Sequence, residues 1–210
     1  VERQILDQQR VPKIAVVPNI HRTANVERTS FQEREGLLFI GGYNHPPNID
    51  AVTWLIREIM PLVWQQMPDM TVTLLGSNPD RETVALGEDS RVTVTGYIPD
   101  VTPHFLRHRV FVAPLRYGAG MKGKIGQSLE YGTPVVSTGI GIEGMGLING
   151  ENVLEANQSH EFARQIIRLY NDEELWNNLA GNSEKAITSF APDFVREQLK
   201  QVFDCLLKEE

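Results

Sequence analysis

The chain has 210 residues, 41% of them hydrophobic, and a formal net charge of −7. That is enough apolar material for a sizeable core, and the acidic surplus excludes broad nucleic-acid binding, which needs a basic surface. The lone Cys205 excludes an intramolecular disulfide framework and a multi-cysteine metal site, and no apolar run reaches the roughly 18–20 residues of a membrane span. A cytoplasmic setting is the expectation. The text opens on the polar stretch VERQILDQQR rather than on methionine, so a piece of a longer protein is expected.

In chain order, Ile14–Val17 (IAVV) followed by PNIH predicts one strand and a turn. Residues 21–35 are polar and read as a connector. Six further strands are predicted at Leu37–Gly41, Thr71–Leu75, Val92–Thr95, Val110–Pro114, Pro134–Ser137 and Asn152–Glu155. Most are solid apolar runs rather than alternating ones, which is how strands covered on both faces read.

Amphipathic stretches lie between them. Ala51–Trp64 spaces Val52, Leu55, Ile59 and Val63 for one helical face, with Pro61 as a kink. Ile125–Tyr131 is a short helix. After residue 155 the strand signal ends. Phe162, Ile166, Leu169 and Tyr170 form one helical face, Leu175, Trp176, Leu179, Ala186 and Ile187 another, and Phe194–Leu207 a last helix. Asn157 or Ser159, and Asn171, are the expected N-caps. Repeated β-α alternation implies a mostly parallel, doubly wound, six-stranded Rossmann-like α/β sheet with C-terminal helices. Ligands in such sheets sit beyond the C-terminal ends of the strands, so the loops after residues 41, 76, 96, 114 and 137 carry the functional interest.

The loop from Arg116 to Lys124 stands out. Gly118, Gly120 and Gly123 alternate with Ala119, Met121, Lys122 and Lys124, between a strand and a helix. Glycine lets backbone approach a ligand, and a helix N-terminus offers N–H groups and partial positive charge. The combination favours a phosphate or diphosphate; a glycine-rich turn with solvated lysines is the alternative. GAGMKGK lacks the gap and the Lys-Ser/Thr ending of a P-loop, and FIGGYN at Phe39–Asn44 is no dinucleotide fingerprint. The five histidines are scattered, and no metal site or Ser-His-Asp arrangement emerges.

LLFIGGYNHPPNIDAVTWLIREIMP, GYIPDVTPHFL, VFVAPLRYGAGMKGKIGQSLEYGTPVVST and GIEGM occur in this order. Together they resemble the C-terminal half of family 4, group 1 retaining glycosyltransferases of GT-B fold, over roughly residues 37–207. The resemblance implies a nucleotide-sugar donor domain at 37–210, with 1–36 as connector and remnant of a preceding domain that would hold a sugar or lipid-linked acceptor. It implies envelope polysaccharide or glycolipid assembly as the setting, no metal or other cofactor, no nucleic acid, and membrane contact only through missing parts. It places Gly41 and Gly42 with the cradle from Arg116 to Lys124 on the donor diphosphate, and Gly96, Tyr97 and Ile98 at the base. Such enzymes carry two glutamates eight apart, the second five residues before the glycine of the G-x-P-V-V strand. Counting back from Gly132, these positions hold Ala119 and Gln127. Gln127 can still hydrogen-bond a ribose hydroxyl without charge assistance, and Glu130 is a possible substitute on the same helix. Glu143, after another strand, is a weaker candidate to face the sugar. No catalytic residue is assigned. A non-catalytic nucleotide-sugar-binding domain and a sugar-nucleotide epimerase of similar fold are the competing readings.

Overall fold

The computed structural model describes residues 14–207. The expected positions 1–13 of the connector, and 208–210 at the end of the donor domain, lie outside the described residues. Six strands form one parallel sheet: β1 (Leu37–Ile40), β2 (Val72–Leu75), β3 (Val92–Gly96), β4 (Val110–Ala113), β5 (Val135–Ser137) and β6 (Leu154–Glu155). Their spatial order is β3-β2-β1-β4-β5-β6. Every pairing is parallel, with Leu37 opposite Val72 on one side of β1 and opposite Val110 on the other.

The solid apolar runs have the predicted cause. Leu37 and Phe39 of β1 face one core and Leu38 the other. Val110 and Val112 of β4 face the first core, and Phe111 and Ala113 the second. Both faces are covered, so neither parity of side chain can be polar.

The first crossover is α1 (Pro46–Trp54), a π-helical turn (Leu55–Ile59) and α2 (Met60–Trp64). The expected kink at Pro61 therefore appears one turn upstream. Proline has no N–H to close an α-helical bond, and its ring crowds the carbonyl four residues back, inside the widened turn. The remaining helices are α3 (Arg81–Ala85), α4 (Thr102–Arg107), α5 (Gly123–Glu130), α6 (Gly139–Ile142), α7 (Ser159–Asn171), α8 (Glu173–Ala186) and α9 (Pro192–Leu207), with single 3₁₀ turns at Leu86–Glu88 and Thr188–Phe190.

Three expectations need correction. Ile14–Val17 is not a strand: among the described residues it pairs with no neighbour, and Val16 and Val17 are exposed. The N-cap of α7 is Gln158, because Asn157 instead accepts from the Gly139 N–H at 2.9 Å. The N-cap of α8 is Asp172, whose carboxylate accepts from the Leu175 N–H at 2.9 Å, while Asn171 donates back to the Ile167 carbonyl at 2.8 Å.

The N-terminal ends of the strands are plugged. Arg34 is 1% exposed and donates to the Phe105 carbonyl at 2.8 Å and to the Thr133 hydroxyl at 2.9 Å. The Trp176 indole donates to the Arg109 carbonyl at 2.7 Å, and the Gly36 N–H donates to the Tyr170 hydroxyl at 2.9 Å. The C-terminal helices thus hold one end of the sheet. The loops at the other end are left to form a site.

Candidate functional site

The strand order reverses between β1 and β4, because β1 leads outward to β2 while β4 leads outward to β5. In a doubly wound sheet, a crevice opens at this point beyond the strand ends. Two loops flank it: residues 41–45 after β1 and residues 114–122 after β4.

The second loop meets α1, the helix that follows the first. A Cβ built on Gly118 would lie 3.6 Å from Pro47, at the start of α1. Gly118 and Gly120 take φ of 128° and 74°, backbone that side-chain-bearing residues rarely adopt. Arg116 donates from Nε to the Asp50 carboxylate at 2.9 Å and from its terminal nitrogen to the other oxygen. Its guanidinium, a sequence candidate for the anion, is thus neutralised by α1. The Lys122 ammonium donates to the Gly120 carbonyl, folding the loop on itself.

Lys124 is placed differently. It lies in the first turn of α5, and its Nζ crosses to the β1 side, where it donates to the Asn48 side-chain oxygen. The same Nζ stands 4.4 Å from the Phe39 ring centroid. A Cβ on Gly41 would lie 2.7 Å from it. Among the described residues, no carboxylate pairs with this lysine. Burial, with the charge of Lys122 adding to it, pushes its ammonium down to about 7. The lysine starts from the first turn of α5, whose leading N–H groups lack intrahelical partners, and chemistry of this kind can receive an anion.

Other candidates are dispersed around the crevice. Gly42 lies on its exposed side, and a Cβ there would meet the Ser77 hydroxyl at 3.3 Å. At the end of β3, the Gly96 carbonyl accepts from the Gly76 N–H at 3.1 Å. Tyr97 is 73% exposed, so its ring is not a packing aromatic, whereas Ile98 packs on the second core. Ala119 is exposed, while Met121 and Gly123 are half-buried on the cradle. Gly144 brings the loop of Glu143 to Met121, its would-be Cβ 3.7 Å from Met121 Cγ. Gln127 is half-buried, one turn along α5 from Lys124.

Glu130 is occupied elsewhere. Its Oε1 lies 2.9 Å from His21 Nδ1 and accepts from the Arg22 N–H at 3.1 Å. The connector lies along α5 here: the Ala24 N–H donates to the Glu130 carbonyl at 3.0 Å, and the His21 N–H to the Phe190 carbonyl at 2.9 Å. Glu130 thus anchors the connector instead of facing the crevice as a spare acceptor. Sequence reasoning missed Asn48. Its signal is only the short stretch PPN after a glycine turn, and its partner is 76 positions away.

Residues 34–172 match the family described as "Glycosyl transferases group 1". The chain belongs to that family. It is 27% identical over 183 residues to an uncharacterized 44.6 kDa protein in the cps region of Klebsiella pneumoniae, covering 82% of this chain and 45% of that protein. It is 23% identical over 198 residues to the putative glycosyltransferase YtcC of Bacillus subtilis (strain 168), covering 86% and 48%. The group 1 chain therefore spans about half the length of the curated relatives it matches. Among solved structures, a variant of S. aureus TarM in complex with fondaparinux, alpha-GlcNAc-glycerol and UDP superposes with a TM-score of 0.80 at 18% identity, covering 96% of this chain and 41% of that one. The fold of the group 1 domain is thus the six-stranded Rossmann-like sheet expected from the sequence. Among the described residues, no helix is long and apolar enough to cross a membrane.

Proposed function

We propose that this chain is the donor-binding domain of a family 4 retaining glycosyltransferase, taking a sugar from a nucleotide-diphosphate donor to an acceptor held mainly by a preceding domain. The observation that carries the reading is Lys124: a half-buried lysine unmatched by any carboxylate among the described residues, set in the first turn of a helix at the switch point. The S. aureus TarM structure contains UDP, and the pneumococcal GtfA structure contains UDP and GlcNAc, which agrees with a donor of this class.

In this reading the diphosphate lies between the Gly41–Gly42 turn and the Gly118–Lys124 cradle. As the bond to the sugar breaks, negative charge grows on the leaving phosphate. Lys124, with Lys122 and the first N–H groups of α5, stabilises that charge without needing to reorient. Gln127 serves the ribose through neutral hydrogen bonds, and Gly96, Tyr97 and Ile98 form the base subsite. Residues 1–36 connect to the acceptor domain. Polysaccharide or glycolipid assembly inside the cell is the proposed setting, and no metal is required.

Ala119, Gln127 and the anchored Glu130 favour a second reading, in which the domain binds nucleotide sugar without catalysing transfer. Calorimetry with UDP tests what both readings share. Binding is expected for the native chain, with a loss of roughly a hundredfold in Lys124→Met, the scale of a hydrogen-bonded charge removed from a phosphate. Unchanged affinity in that variant removes the cradle from the site. Sugar transfer by the full-length protein, with none by this chain alone, separates the first reading from the second.

A further inference from the structure

We propose that Asn48 is a positioning residue, which holds the Lys124 ammonium against the Gly41–Gly42 turn so that its charge meets the donor's phosphates. The proposal rests on the diphosphate reading above. Asn48 is 7% exposed, and both ends of its amide are committed. Its Nδ2 donates to the Gly42 carbonyl at 2.8 Å, and its Oδ1 accepts from Lys124 Nζ. A carbonyl needs a donor and an ammonium needs an acceptor, so this chemistry fixes which way the amide points.

The choice of amide matters because of what it does not do. A carboxylate at this place would hold the ammonium equally well, but would cancel the charge that an anion must find. The same helix shows that alternative: the Asp50 carboxylate of α1 meets Arg116, and the charge of Arg116 is cancelled there. Asn48 supplies an acceptor with no net charge. The lysine is therefore fixed, and whenever it carries its proton the charge is left for an anion.

The fixing is itself a contribution to binding. A lysine side chain gives up considerable rotamer freedom when it is held, and a ligand that must order it loses affinity. Here the Phe39 ring and the Gly41 backbone confine Nζ before any ligand arrives, and Asn48 supplies the directional contact. Asn48 also ties α1 to the glycine turn. That second bond steadies the amide, and through the amide the residue sets where the ammonium stands.

The test is calorimetry on the 210-residue chain with three probes: inorganic pyrophosphate, UDP and uridine. Asn48→Ala is expected to weaken pyrophosphate and UDP by roughly tenfold, the scale of one hydrogen bond to a charged group, and to leave uridine unchanged. Asn48→Asp is expected to weaken both anions by at least as much, because the new carboxylate pairs with Lys124. In a Lys124→Met background, Asn48→Ala should cost no further affinity for UDP, since the residue acts through the lysine. A parallel loss of uridine affinity overturns the proposal in favour of general damage to the crevice. So does an undiminished Asn48→Ala effect in the Lys124→Met background. Binding of both anions by native protein with no change in Asn48→Ala overturns this inference alone. Failure of native protein to bind either anion overturns the diphosphate reading and this inference with it.

Discussion

At residue 41, the lack of a side chain decides where Lys124 stands. A methyl group there would lie 2.7 Å from Nζ and 2.7 Å from the Asn48 side-chain carbon. The backbone at Gly41 is not left-handed, so alanine meets no strain from φ. Both groups are held by their mutual hydrogen bond, so the Asn48 amide and the ammonium must shift together. Gly41→Ala is therefore expected to cost about 1–3 kcal/mol of stability, by overpacking, while UDP affinity falls roughly tenfold as the ammonium is displaced. Urea unfolding and calorimetry on one preparation check both numbers. Loss of stability without loss of affinity would mean that Lys124 is not the anion ligand. The residue scale is also where the sequence was least legible. Gly41, Lys122 and Lys124 could be picked from local text, because glycine and lysine in a βα loop carry their own chemistry. Asn48, His108 and Arg34 could not. Each acts through a partner at least 35 positions away, and nothing nearby in sequence marks the meeting.

At the scale of elements, α5 is held along its length by the connector. His21 lies over Gly126, where an added Cβ would fall 2.2 Å from the ring nitrogen Nε2. The ring cannot retreat easily, because its Nδ1 is bound to Glu130 and its edge meets Phe190 with 6.1 Å between centroids. A glycine inside a helix costs up to about 1 kcal/mol in propensity relative to alanine, and here contact with the connector offsets that cost. Gly126→Ala should therefore destabilise the protein by about 1–3 kcal/mol despite its better helix propensity. Combining it with His21→Ala should restore most of the loss, because the clash and its partner disappear together. Urea midpoints of the two single variants and the double variant decide this. A stabilising Gly126→Ala would show that the connector does not clamp α5. The strands were legible because two buried faces force solid apolar runs. Ile14–Val17 misled because the same apolar pattern arises in a segment with no sheet edge beside it. The clamp was not legible, since a glycine in a helix reads equally well as a weakness or as a contact.

For the whole molecule, two bases with depressed protonation, His108 and Lys124, set a working window in pH. His108 lies 2.7 Å from the His104 carbonyl through Nδ1 and 2.8 Å from the Thr73 hydroxyl through Nε2, an arrangement that suits the neutral ring. Burial pushes its protonation down to about 4, well below the ordinary histidine range. A depressed folded value means that stability is complete above the unfolded value and drains away as the pH falls toward the folded one. The expected loss is roughly 2–3 kcal/mol between pH 7.5 and pH 4.5, with the depressed carboxylates such as Asp80 and Asp100 adding theirs mainly at lower pH. His104, also lowered by burial, acts in the same direction. His108→Asn should be less stable at neutral pH but flatter over this range. At the other end, the Lys124 ammonium titrates near 7, so above that pH the empty cradle holds a neutral amine. UDP must then bring a proton in with it, and affinity should fall by up to about tenfold per pH unit until the value raised by the bound phosphates is passed. Lys124→Arg, which stays charged, should lose that slope even if its affinity differs. Calorimetry in buffers of different ionisation enthalpy reads the proton uptake directly. Uptake near zero at pH 8.5 in the native chain would show that the lysine is already charged before the ligand arrives, and that its burial does not govern binding.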